Sequence, residues 1–482
     1  MTDCNTDPIL FSRLGRQQVV ADFAGGAITS DAGLLLLREA DRRLGLVDRL
    51  DAVIPDPRNP LLITHTQAGM LRQRILAIAA GHEDLNDHQT LRDDPLFKLV
   101  CQRKVAPDEP LASPPTLCRL ENRAQRAVMF DMARELVEVF IASHDTPPEE
   151  LVLDFDATDD PIHGNQVGRF FHGYYDGYCF LPLYVFAGQQ LLVAYLRPSN
   201  IDGATHAWAI LAMLVKRLRQ QWPKVKIIFR GDSGFCRWRM LRWCDRHAVH
   251  YLVGVARNKR LQALARPQME QARAIFEKQQ QAQCGGGDEL FMHARARPTR
   301  VFGDLSHAAG SWDKQRRVIV KAEYLPGEPD DDKPDADTSA DDASSDIDAK
   351  KNFRFVVTNL DGAAQSLYEQ VYCQRGDAEN RIKEQQLGLF ADRTSCHDFE
   401  ANQFRVLLSA AAYVLVEHVR RVGLAATPLA DAQVTTLRVR LFKIGAQVRH
   451  STRRIVLHLA SGFPLAEVFR VAAARLIPSP SP

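Results

Sequence analysis

LVLDFDAT, Leu151 to Thr158, is the stretch whose reading decides the fold. Leu151, Leu153 and Phe155 fall on one side of an extended chain, with Val152, Asp154 and Asp156 on the other. The apolar start reads as a buried central strand, and its far end places two carboxylates on one face. An ionised carboxylate taken out of water is costly unless it is paired, hydrogen-bonded or bound to a metal. Asp154 or Asp156 therefore needs a partner: an arginine, a turn to cap, or a cation shared with further acids.

Outward from Thr158 the strand texture continues. GRFFHGYYDG, YCFLPLYVFAGQQ and LLVAYLRPSN read as two or three strands joined by Gly-containing turns. A helix is expected from about His206 to Gln221. In KVKIIFRGDSGF, Val225 to Phe229 is a short apolar strand and Asp232 sits just beyond it in a Gly-flanked loop. CRWRMLRWCDRHA forms a helix behind it, and HYLVGVA, His250 to Ala256, is another strand. This order is that of an α/β sheet with an antiparallel hairpin on one side.

The pattern is interrupted from Asn258 to about Lys351. A Gln-rich helical part leads to GGG at 285–287, then to strand-like RVFGDL and RRVIVKAEYL. An acidic run follows, with ten acidic residues and one lysine between Glu328 and Asp348. Its composition is that of a flexible loop. FRFVVTNL, Phe353 to Leu360, is the returning strand, and a long helix or pair of helices runs from about Ala364 to Val419. The tail from Thr435 clusters Arg and Lys among apolar residues. It reads as a final helical or hairpin element that presents cations to phosphate, or as a plain basic surface.

On the N-terminal side the first 150 residues read as mostly helical. Ser30 is the expected N-cap of a helix in SDAGLLLLREADRRL, a second helix spans about Thr64 to Ala80, and a third runs through RAVMFDMARELVEVFIASH. Gly81 to Pro95 holds two histidines six apart in an expected turn, which suits a hydrogen-bonded corner between helices better than a metal site.

Composition bounds these readings. The 482 residues, 45% hydrophobic and 25% charged, suit a soluble protein of two to four domains. The net charge of +2 conceals an asymmetry: without Glu328 to Asp348, 60 Lys and Arg face 49 Asp and Glu, about +11. A basic body with an acidic insert suits a polyanionic partner. The nine cysteines show no C-x-x-C pair, which argues against a disulfide framework or zinc site and for a reducing cytosol. No signal pattern or membrane-length apolar run is seen, so the expected location is cytoplasmic, with no membrane partner.

Three acids stand out by setting. Sites in α/β sheets form outside the carboxyl ends of strands. If the strands before Asp156 and Asp232 are parallel neighbours, the two carboxylates repel unless a cation lies between them. Oxygen-only ligands favour Mg²⁺ or Mn²⁺. The third acid lies in YCQRGDAENRIKEQQ. At about 100° per residue Tyr372, Arg375, Glu379 and Gln386 share a stripe, with Lys383 close by. Glu379 is a candidate third ligand, and Tyr372, Arg375 and Lys383 are candidates for holding DNA phosphate. A solvated Glu379–Lys383 ion pair is the plainer alternative.

DFDAT, GDSGF and Y-x2-R-x3-E together resemble the three acidic motifs of bacterial DDE transposases with a ribonuclease H-like catalytic fold. ITSDAGLLLLRE, GHEDLNDHQTLRDDP and ASPPTLCRLENR are further similar to one group of insertion-sequence transposases, the insertion-sequence 1380 family of the Y-x2-R-x3-E-x6-K type. In that motif the last position is lysine; here it is Gln386, with Lys383 as a stand-in. The resemblance implies a mixed α/β sheet with flanking helices, interrupted by a β-rich insertion, plus an N-terminal helical domain.

The domains implied are 1–148 (helical, DNA-binding), 149–257 with 352–422 (split catalytic domain), 258–351 (insertion, with a flexible acidic loop 327–350) and 423–482 (basic segment). Asp156, Asp232 and Glu379 would be the catalytic, metal-binding triad, with two ions. In the family it resembles the first Asp stands two before a Thr, which with Thr158 would select Asp156 over Asp154; Asp154 becomes a neighbour that tunes it or binds an arginine. Trp312 is a candidate to stack a flipped base, although a core tryptophan is commoner. The implied activity is metal-dependent cleavage at the ends of an insertion sequence and strand transfer into target DNA. The implied assembly is a homodimer bound to terminal inverted repeats in the nucleoid. The competing readings are a catalytically silent DNA-binding regulator and a metal-dependent nuclease on the same fold.

Overall fold

The computed structural model describes residues 8–123, 125–283, 298–324 and 351–477. The acidic loop 327–350 and the GGG of 285–287 lie outside the described residues. The central sheet has eight strands: β1 (Glu150–Ala157), β2 (Leu183–Ala187), β3 (Gln190–Tyr195), β4 (Lys226–Gly231), β5 (His250–Val255), β6 (Thr299–His307), β7 (Arg316–Tyr324) and β8 (Lys351–Thr358). Their spatial order is β6-β7-β8-β5-β4-β1-β2-β3. β1, β4 and β5 are parallel neighbours, and every other pairing is antiparallel.

Strand parity sorts the two faces. Leu151, Leu153, Phe155, Ile227 and Phe229 point into one core, packed against the helices Ala207–Gln221 and Trp238–Arg246. Val152, Ile228, Leu252 and Val356 point the other way, under Leu367 and Tyr368. The segment carrying Tyr372, Arg375 and Glu379 thus lies over the face on which Asp154 and Asp156 emerge.

The interruption after Asn258 is not a separate β unit. Its described part consists of the helices Lys259–Leu264 and Arg266–Gln283 and of β6 and β7, which extend the central sheet from its edge at β8. Hydrogen bonding fixes this placement: β7 pairs with β8 from Arg317 opposite Thr358 to Tyr324 opposite Lys351, and β8 pairs with β5 over Phe355–Thr358.

The N-terminal segment is helical, as its periodicity predicts, except for a two-stranded hairpin of Ile9–Leu14 and Gln17–Ala21. Its helices do not close a core alone. Leu34, Leu71, Ile75 and Leu117 share one cluster with Phe404, Leu408, Leu415, Leu441 and Leu476. The helix Phe399–His418 is buried on all sides at the centre of that cluster. The expected helix or helix pair of 364–419 is two stretches, separated between Gly388 and Phe399. The tail contains a hairpin, Ala446–His450 with Ile455–Leu459, which pairs with Ile28–Thr29, and a final helix Ala466–Leu476.

Ser30 does not cap the first helix; Gly33 stands at that position and the helix runs Leu34–Leu44. The amides of Ala32 and Gly33 instead donate to the carbonyls of Ile444 and Phe442, at 3.0 Å each. A Cβ at Gly33 would lie 2.1 Å from the Leu441 carbonyl oxygen, so this crossing of two backbones requires glycine. The histidine-containing corner is a hydrogen-bonded joint. His88 is fully buried, 3.0 Å from Gln73 Nε2 and 3.2 Å from Arg74 Nη1. Burial, aided by the charge of Arg74, pushes its pKa down to about 3, so it is neutral. No helix among the described residues is long and apolar enough to cross a membrane.

Candidate active site

The parallel register of β1 and β4 decides where the first two acids meet. Arg230 lies opposite Asp154 and Gly231 opposite Phe155. The next residues in each chain are Asp232 and Asp156, which leave adjacent strands at the same level, about 4.8 Å apart in strand spacing. Asp232 starts the short turn Ser233–Phe235, and its carboxylate accepts from the Gly234 amide at 2.9 Å.

The two acids of D-x-D have separate fates. Asp154 is buried and forms a two-pronged ion pair with Arg230, with Nη2 to Oδ2 at 2.6 Å and Nε to Oδ1. The remaining arm of Arg230 donates to the carbonyl of Val371, which ties the sheet to the segment above it. Asp154 is therefore charge-paired and does not line the site. The Asp156 side chain is 14% exposed, and Arg375 approaches its Oδ2 at 3.4 Å.

Arg375 joins the third acid to the first. Its other terminal nitrogen lies 2.5 Å from Glu379 Oε1, one turn along the helix Arg375–Lys383. The charges register the same convergence. Burial pushes the Asp156 carboxyl up to about 7; Arg375 opposes the shift, and the charges of Asp232 and Glu379 add to it. The site thus concentrates negative charge that one guanidinium does not fully offset. Three carboxylates with oxygen donors alone suit a hard divalent ion chemically. Among the described residues, however, no three acidic, His or Cys side chains stand close enough to ligate an ion as they are placed. Arg375 occupies the space between Asp156 and Glu379 and would have to yield.

The helical stripe drawn at uniform pitch does not survive intact. π-turns at Leu367–Tyr372 and Glu384–Gly388 flank the helix Arg375–Lys383. Tyr372 is nonetheless beside the acids: its hydroxyl abuts Gly254, and burial raises its pKa against the pull of the Arg375 charge. Gln386, after the second π-turn begins, donates to the carbonyl of Asp159 at 2.8 Å. Lys383 is exposed one turn beyond Glu379. The Thr158 hydroxyl lies 3.5 Å from Asp159 Oδ1.

Trp312 is elsewhere, which corrects its candidacy as a base-stacking residue. It sits in the β6–β7 turn, next to Arg316 and His307, packed on the main core. Arg317 of β7 aligns with Thr358 of β8, which aligns with Leu252 of β5. The turn therefore extends past the start of β5, at the end of the sheet opposite Asp156 and Asp232.

Arg230 and Gly254 belong to the site and were not picked out by sequence reasoning, although a glycine inside the strand pattern HYLVGVA marks a close backbone approach. A Cβ on Gly254 would meet the Tyr372 hydroxyl at 2.7 Å, the Ser233 amide nitrogen at 2.8 Å and the Asp232 carbonyl carbon at 3.1 Å. Gly254→Ala is expected to displace Tyr372 and the Asp232 turn and reduce activity about a hundredfold, since misplacement by about 1 Å costs that much. Circular dichroism should show the fold retained; wild-type turnover by this variant would contradict the contact.

A family model described as transposase DDE domain group 1 matches residues 11–331 and 345–481 of the chain. The unmatched residues between fall within the acidic stretch. Among solved structures the chain is similar to that of the piggyBac transposase synaptic complex with hairpin DNA, at 13% identity and a TM-score of 0.34, over 94% of this chain and 87% of that one. No curated protein matches the sequence.

Proposed function

The chain belongs to the DDE transposase family, transposase DDE domain group 1, and from that premise we propose that it cuts DNA at the ends of an insertion sequence and joins those ends to target DNA. The observation that carries this reading is the in-register exit of Asp156 and Asp232 from adjacent parallel strands, with Glu379 held to Asp156 through Arg375. Family members generally use divalent metal ions. Asp156, Asp232 and Glu379 would hold Mg²⁺ or Mn²⁺, two ions in the fullest form. Bound there, the ions would lower the pKa of an attacking water or 3′-hydroxyl and stabilise the leaving oxygen.

The chain's own groups supply the rest. Arg375, freed from the two carboxylates, becomes a guanidinium for the phosphate being attacked. Tyr372 braces Arg375 from the side, and Lys383, one turn on, faces solvent as a second cation for the DNA backbone. Gln386 pins the chain just beyond Asp156 through the Asp159 carbonyl. The N-terminal helices and the basic tail are assigned to DNA recognition, in a homodimer on terminal inverted repeats. Membership of the insertion-sequence 1380 group belongs to the same proposal.

The test is cleavage and joining by the wild-type protein on DNA carrying the ends of the element that encodes it. Nicking at the ends and joining should require Mg²⁺ or Mn²⁺ and stop with chelator. End binding without any cutting would instead support the silent regulator. Cutting without end preference or joining would support the nuclease.

A further inference from the structure

Asp160, four residues beyond Asp156, begins a second, small sheet in which Asp160–Pro161 pairs with Gly177–Phe180 and the latter with Phe170–His172. Its base is fixed. Phe180 is fully buried, 5.2 Å from the ring of Phe399. The Val167 amide donates to the His397 carbonyl at 2.9 Å, and the Ser199 hydroxyl donates to the Phe170 carbonyl at 2.8 Å.

The outer part of this sheet is apolar where a free surface should be polar. Phe171 stands directly opposite Tyr178. The two rings meet edge to face at 5.8 Å, yet are 55% and 50% exposed. Arg169, two residues before Phe171 and so on the same face, lays its guanidinium over the Tyr178 ring at 4.6 Å. In the connecting turn Tyr174 is 65% exposed and packs against Tyr175 at 4.9 Å. Tyr175 packs against His172 at 5.0 Å, on the other face of the hairpin from Phe171 and Tyr178, and the nearby charges of Asp159 and Asp156 act on its hydroxyl, so the hairpin stands beside the candidate active site. A rigid hairpin that holds three large aromatic side chains in water forgoes their burial, which marks a binding surface.

We propose that Arg169, Phe171, Tyr174 and Tyr178 form a stacking platform for unpaired bases of a DNA strand running to or from the Asp156 site. Exposed rings with a guanidinium laid on one of them suit the bases and phosphates of a single strand, because stacking takes any base and the cation takes the backbone. Asp160 lies within about 14 Å of Asp156 and Tyr178 about 7 Å farther along the strand paired with it, so a strand end leaving the acids reaches the platform within a few nucleotides. The only acid in the outer turn is Asp176, at its tip between Tyr175 and Gly177.

This rests on the transposase reading, and the experiment separates the two. The full-length protein, in chelator, is titrated against a labelled oligo-dT of about 12 nucleotides, within the usual site size for such surfaces, and against a duplex. Phe171→Ala with Tyr178→Ala should weaken oligo-dT binding about tenfold or more and leave duplex binding within about twofold. Tyr178→Phe should bind as wild type. Tyr174→Ala, at an exposed turn position, gives a second measurement should the double variant fold poorly. Unchanged oligo-dT affinity, or equal loss on both DNAs, overturns the platform. So does altered self-association with unaltered oligo-dT affinity, which would give the face to a second copy of the chain. A wild-type protein that binds duplex but not oligo-dT overturns the platform and leaves the transposase reading standing; one that binds neither overturns both.

Discussion

Asp156→Asn should eliminate DNA cleavage, by on the order of a thousandfold or more, while making the metal-free protein more stable at pH 8. Both effects have one cause. The Asp156 carboxyl is pushed up to about 7 by burial and by Asp232 and Glu379, despite Arg375. An acid with a raised folded pKa binds a proton more tightly when folded than when unfolded. Its ionisation therefore opposes folding, fully above pH 7 and not at all below the ordinary value of 3.8. Asparagine removes that penalty, which is a few kcal/mol at most, since each tenfold change in proton affinity is worth about 1.4 kcal/mol. The Tm gap between variant and wild type should thus be widest at pH 8 and close as the pH falls toward 4. Mg²⁺ should raise the Tm of the wild type and leave the variant unmoved. A variant that is inactive but less stable at pH 8 would show that Asp156 is structural.

Arg230→Met should be the most destabilising single change near the site, by about 3–5 kcal/mol. It strands Asp154, which is 2% exposed and whose pKa is already raised by burial in spite of Arg230. Without the guanidinium that pKa rises further, so the defect is full at neutral pH and shrinks in acid as Asp154 takes up a proton. The Val371 carbonyl also loses its donor, which frees the segment carrying Arg375 and Glu379. Asp154→Leu combined with Arg230→Met should recover most of the stability in urea titrations but little of the activity, because the tether stays cut. Equal stability of the single variant and wild type at pH 7 would refute the assignment.

What the sequence carried well was local. The alternation of Leu151, Leu153 and Phe155, the apolar run ending before Asp232 and the helix Gln67–Ala80 all follow from side-chain period. Register did not. Nothing near Asp154 announces Arg230, because the partnership is set by how two strands separated by a small sheet, a hairpin and a helix align. Trp312 looked available because its placement at the far end of the sheet depends on β7 pairing with β8 across a long interruption. Ser30 carried a capping signal, but the backbone of Phe442 to Ile444 claimed the neighbouring donors. The stripe from Tyr372 to Gln386 assumed uniform pitch, and two π-turns altered it.

The helix Phe399–His418 is the centre on which Leu71, Ile75 and Leu117 pack. During synthesis those N-terminal helices emerge some 300 residues before it. At about 5–20 residues per second, the ribosome leaves them waiting roughly 15–60 s without their core. A chain released early would expose that unfinished surface and be cleared or aggregate. The N-terminal helices thus gain the surface on which they pack only once the chain has been made through His418.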